Sequence, residues 1–147
     1  MAPPRVVTEV SSTVRRPGIT AAKVRRIVEA TLRSERVGDA LISVAFVGIT
    51  TSARLNRKYL RHEGATDVIS FGMGRDAPGM PAIGDIYICP EVARRNAKRI
   101  GIPAQEELAR LVVHGTLHVV GQEHPEDETR TESEMWKRQE RLLARRD

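Results

Sequence analysis

Apolar and polar positions alternate along the first part of the chain and then give way to helical spacing. Val6 to Val10 alternates residue by residue, the period of a half-buried strand. Pro17-Gly18 punctuates the chain, and Thr20 can cap a helix running to about Arg33, where Val24, Ile27, Val28 and Leu32 form one apolar stripe. Leu41 to Val47 is rich in β-branched residues and predicts a second strand. Thr50 or Thr51 caps a short helix with Leu55 and Tyr59 on one face. Asp67 to Phe71 and Ile83 to Cys89 predict two more strands, joined by the Gly-, Pro- and Met-rich connection Gly72 to Pro81. Pro90 opens a helix through about Arg99, Gly101 and Pro103 break it, and another begins at Gln105-Glu106-Glu107. That helix should end at Gly121, and a last one, about Glu126 to Arg145, begins acidic and ends basic. The pattern implies an α+β domain spanning residues 1–147, a small sheet covered by helices.

Composition narrows the class. A chain of 147 residues, 40 % apolar and 29 % charged, can bury one core, and with 3 % aromatics that core must be mostly aliphatic. No apolar run of signal-peptide length follows Met1, and no stretch approaches the roughly 18 apolar residues of a membrane helix. The single cysteine, Cys89, lies in an apolar run and reads as a packed residue; without an internal disulfide the expected location is the cytoplasm. Net charge is +5 with a pI near 10.0, a balance that favours polyanionic partners, nucleic acid above all. Clusters at Arg94, Arg95, Lys98 and Arg99, at Arg15, Arg16, Arg25 and Arg26, and at Arg141, Arg145 and Arg146 are either phosphate contacts or solvated helix faces.

The chemistry concentrates in the helix over Leu108 to Val120, which is apolar almost all round and therefore expected to be buried. His114 and His118 stand four residues apart on one face, a separation at which two imidazoles can share a metal ion. Gly121 lets the chain turn so that His124 can return as a third ligand. Three histidines leave one coordination position open, as catalytic zinc sites do. The spacing equals that of the metzincin motif HExxHxxGxxH, with one substitution: Gly115 stands where a metalloprotease carries its glutamate base. Iron, nickel or manganese would also suit these ligands.

The segment RLVVHGTLHVVGQEH, Arg110 to His124, resembles the HGxLHLxGYDH signature of the YbeY family of metal-dependent endoribonucleases. Leu55-Asn56-Arg57-Lys58-Tyr59, Thr66 to Phe71 and Gly84-Asp85-Ile86 resemble three further segments of that family, so the similarity spans roughly Val44 to Glu128. The resemblance implies a mixed four-stranded sheet with five or six helices, and one zinc ion on His114, His118 and His124. It also implies hydrolysis of single-stranded RNA in ribosomal RNA processing, notably at the 3′ end of the small-subunit RNA, and ribosome quality control. The implied partners are ribosomal RNA and the ribosome or its small subunit, with no membrane.

The sequence departs from the family pattern at several points. Some members carry an arginine after the tyrosine of LNxxY; here Leu60 stands there and Arg61 follows, a candidate substrate-binding cation. Ala65 replaces a proline, and Gln122-Glu123 replaces Tyr-Asp, which keeps a carboxylate beside His124. Glu123 is a candidate for orienting water or accepting a proton, set against the plainer reading of a solvated loop acid. Asp85 interrupts an apolar strand, where a charge needs a partner, and Ser70 lacks the paired base a nucleophile requires. His62 is expected in a loop with no metal. Met135, Trp136, Leu142 and Leu143 recur at helical spacing and read as a packing stripe. Two other functions share the histidines: a metalloprotease, which lacks a base at Gly115, and a ribosome-assembly factor whose metal is structural.

Overall fold

The computed structural model describes residues 3–73, 80–121 and 134–144. In chain order the elements are β1 (Val6–Ser12), α1 (Ala21–Ser34), β2 (Ala40–Phe46), α2 (Ile49–Leu55), a π-helical turn (Asn56–Leu60), β3 (Val68–Gly72), β4 (Ala82–Ile88), α3 (Pro90–Ile100), α4 (Ala104–Val119) and α5 (Glu134–Ala144). The four strands form one sheet in the order β1-β2-β4-β3. β1, β2 and β4 run parallel, and β3 pairs antiparallel with β4, Val68 opposite Ile88 and Gly72 opposite Gly84. The expected mixed four-stranded α+β fold is therefore present, with five α-helices among the described residues.

Alternation along the strands decides which face is covered. Ile42, Val44 and Phe46 of β2 and Ile86 and Ile88 of β4 are buried, and they meet Val24, Val28 and Leu32 of α1 and Leu108 and Val112 of α4. Each such side chain contributes about 1.5–3 kcal/mol on burial, which makes this layer the main source of stability. Thr20 caps α1 as expected, its hydroxyl accepting from the Lys23 amide at 3.1 Å. On the other face Val7, Leu41 and Ile83 fall in one register row and remain exposed. Asp85 shares that face and is exposed, so its charge meets water rather than the core. Tyr87 beside it is raised in pKa by partial burial, then by the Asp85 and Tyr59 charges.

α4 lies against the sheet at glycines. A Cβ on Gly115 would stand 2.6 Å from Ile86 Cγ2; one on Gly84 would stand 2.6 Å from both the Phe71 carbonyl oxygen and Val119 Cγ1. A Cβ at either position would force its neighbours to shift, so the helix rests almost directly on β4.

Two local expectations change. The inward face of α2 and the π-helical turn is polar, not the Leu55–Tyr59 pair: Ser52 and Asn56 are buried, while Tyr59 is 52 % exposed and makes a T-shaped contact with the Phe71 ring. A buried polar group must be satisfied, and these two bind the chain that follows. Ser52 Oγ donates to the Thr66 carbonyl at 2.8 Å and accepts from the Thr66 amide at 3.0 Å; Asn56 Nδ2 donates to the Gly64 carbonyl at 2.9 Å. The N-cap of α2 is Gly48, not a threonine. The predicted start of the last helix, before Glu134, lies outside the described residues.

Candidate active site

From Glu107 to Val119, α4 is buried except along one line. Arg110, His114 and His118, spaced four apart, are the residues of that stretch not fully covered. Apolar packing on every other side thus decides which side chains reach solvent, and two of the three are histidines. Their ring centroids are 4.8 Å apart with planes inclined at 64°. His114 Nδ1 lies 2.7 Å from Gln139 Oε1 on α5. Gln139 is 1 % exposed and its Nε2 donates to Glu140 Oε2 at 3.1 Å. Arg110 grips Glu140 through Nε and Nη2 at 3.0 and 3.1 Å, and Glu107 through Nη1 at 2.9 Å.

Burial governs the charges of this chain of contacts. It raises the Glu107 carboxyl above its usual range, an effect that Arg110 opposes without cancelling. Burial would lower Arg110, but hydrogen bonds to Glu140 and Glu107 outweigh it and hold the guanidinium charged. Helix α5 is held on α4 by Met135, which packs with Val113 and Leu117, and on α1 by Arg138, whose Nη1 lies 2.9 Å from Glu35 Oε1.

The histidines open into a cleft of about 680 Å³. The segment between α2 and β3 supplies Leu60, His62, Thr66 and Asp67; α3 supplies Asn96, Arg99 and Ile100; α5 supplies Trp136 and Gln139. Asp67 is fixed by its own turn: Oδ1 accepts from the Val68 amide at 2.8 Å, and Oδ2 lies 3.4 Å from Asn96 Nδ2. Ser70 lines the cleft from β3.

Among the residues singled out in the sequence, His114 and His118 come together as expected. His124 and Glu123 lie outside the described residues, and among the described residues no third His, Cys, Asp or Glu completes a metal-binding group. Arg61 is exposed at a left-handed turn, φ 57°, between two cleft-lining residues, Leu60 and His62. Cys89 is buried and Met135 is a packing residue. Trp136 lines the cleft, whereas Met135, Leu142 and Leu143 of the expected stripe pack on the core. Arg110, Gln139 and Glu140 were not anticipated. Arg110 was marked by its four-residue spacing from His114; Gln139 and Glu140 had no signal, because their partners are distant in sequence.

The family model described as Endoribonuclease YbeY matches residues 10–147. The chain belongs to the YbeY family. An Endoribonuclease YbeY of Parafrankia sp. is 35 % identical, with 86 % of this chain and 83 % of that protein covered. The Endoribonuclease YbeY of Thermobifida fusca is 37 % identical, with 84 % and 81 % covered. In fold, the solution structure of TM1509 from Thermotoga maritima matches with a TM-score of 0.61 at 22 % identity, over 93 % of this chain and 87 % of that one. The fold match agrees with the α+β architecture described above.

Proposed function

We propose that the chain is a zinc-dependent endoribonuclease that cuts single-stranded RNA in ribosomal RNA processing, with the metal on His114, His118 and His124. The observation that carries this reading is the line Arg110–His114–His118, the uncovered edge of an otherwise buried helix segment, opening into a cleft. Two imidazoles one helical turn apart, one of them oriented by a buried amide, suit a borderline cation such as zinc. When bound, the metal supplies Lewis acidity at a phosphoryl oxygen and a water that loses its proton near neutral pH.

The chain's own residues divide the remaining work. Arg110 serves two carboxylates, so its charge is spent inside the protein. Arg99 lines the same cleft and makes a long hydrogen bond, 3.5 Å, to Asn96 Oδ1, which leaves most of its donors for a phosphate. Trp136 lines the same cleft from α5. Position 115 faces Ile86, not the cleft, so a glutamate there could not serve as a base, and a protease reading loses support. The net charge of +5 supports a polyanionic substrate. Small-subunit RNA as target, the ribosome as partner and the cytoplasm as location belong to the same proposal, as does a substrate contact by Arg61.

Purified protein should contain about one equivalent of zinc and cleave labelled single-stranded RNA, with cleavage lost in His114→Ala and on chelation. RNA cleavage that survives both treatments would refute the metal mechanism. Casein cleavage without RNA cleavage would favour a protease, and bound metal with neither activity a structural role in ribosome assembly.

A further inference from the structure

Gln139 lies on α5, outside the histidine motif, and its amide has two ends that are not interchangeable. Nε2 faces Glu140 Oε2 at 3.1 Å and Oε1 faces His114 Nδ1 at 2.7 Å. Turning the amide over would set oxygen against a carboxylate that can only accept, so Glu140 decides which end meets the histidine. Glu140 is itself held, one oxygen by Arg110 Nε at 3.0 Å and the other by Nη2 at 3.1 Å. Arg110 is anchored in turn by Glu107 Oε1 at 2.9 Å. The oxygen presented to His114 is an acceptor, and Nδ1 must therefore be the nitrogen that carries hydrogen.

We infer that Gln139 is a positioning residue that accepts the Nδ1–H of His114 and fixes the neutral ring in the tautomer whose lone pair is on Nε2. The ring is then aimed before any metal arrives, and Glu107, Arg110 and Glu140 keep the amide from turning. A bound histidine commonly donates its second N–H in this way, which sets both its orientation and its basicity. The inference rests on the proposed metal role of His114, but its geometric part concerns the metal-free protein.

Two measurements test it. Long-range 1H–15N spectra of the metal-free protein should show His114 as the Nδ1–H tautomer in the wild type and as a mixture in Gln139→Leu. Zinc titration against a chromophoric chelator should show affinity falling about 10–100-fold in Gln139→Leu. Exchanging the two residues, Gln139→Glu with Glu140→Gln, keeps an acceptor towards His114 and an N–H donor beside it, and should retain the tautomer and most of the affinity. The inference is overturned if the wild-type ring carries its hydrogen on Nε2, a result that needs no variant to fold. It is also overturned if Gln139→Leu matches the wild type in both readouts, or if Gln139→Leu and the paired exchange weaken zinc equally. A wild type that shows the Nδ1–H tautomer yet binds no zinc would instead overturn the metal reading.

Discussion

Replacing Gly115 with alanine tests the close approach of α4 to β4. The new Cβ would meet Ile86 Cγ2 at 2.6 Å and Cγ1 and Cδ1 at 3.2 Å, where carbon atoms normally rest about 3.5–4.0 Å apart. Ile86 is fully buried, and Cγ2 sits on a branched β-carbon with one stiff torsion, so it cannot swing away. Overpacking of this kind costs about 1–3 kcal/mol, and alanine returns about 1 kcal/mol through its helix propensity. The net loss should lie between about zero and 2 kcal/mol, read from urea midpoints at constant m. A double-mutant cycle separates the two effects. Ile86→Val keeps Cγ2, and the penalty should persist; Ile86→Ala removes it, and Gly115→Ala should then stabilise by about 1 kcal/mol. Equal effects of Gly115→Ala in the wild-type and Ile86→Ala backgrounds would refute the close contact. The same geometry makes Gly115→Glu a destabilised protein with no new protease activity, since its side chain enters the core.

Two further outcomes follow from the charged cluster. Arg110→Met leaves Glu107 and Glu140 without their cation and should cost about 3 kcal/mol in urea unfolding, the low end for a buried pair because Glu140 keeps some solvent; a loss under about 0.5 kcal/mol would mean the cluster is open to water. Glu107 has a raised pKa, so the folded state binds its proton more tightly than the unfolded state does. The stability it contributes is whole below the ordinary carboxylate value and is lost as pH rises through the raised one. The melting-temperature difference between wild type and Glu107→Gln should therefore move against the wild type from about pH 4 upward, and a difference moving in its favour would contradict the raised value.

The sheet and the long helices were legible because their signals are local: alternation in β2 and β4, a threonine cap on α1, a proline at the start of α3. The histidine pair was legible because four residues make one helical turn. Contacts between distant elements were not. Gly115 reads in the sequence as a missing base, and only the placement of α4 on Ile86 shows that a side chain there meets the core. Ser52 and Asn56 take their roles from partners beyond their own helix, the Thr66 backbone and the Gly64 carbonyl. Gln139 is buried because Met135 and Arg138 draw its helix onto α4 and α1, contacts between elements far apart in sequence.

The dependence of the histidines on α5 bears on the order in which the molecule is made. A chain emerging from the ribosome offers its N-terminal elements first, at about 5–20 residues per second. The sheet, α1 and α4 can dock before Glu134–Ala144 has been synthesised, because their shared core contains none of α5's fully buried side chains. During that interval Val113 and Leu117 lack their Met135 cover, and His114 lacks the amide that orients it. The histidine ring is therefore aligned only once α5 has been made and has closed over α4. A chain with this chemistry that stalls before α5 is made would leave its histidines unaligned beside RNA on the ribosome that is making it.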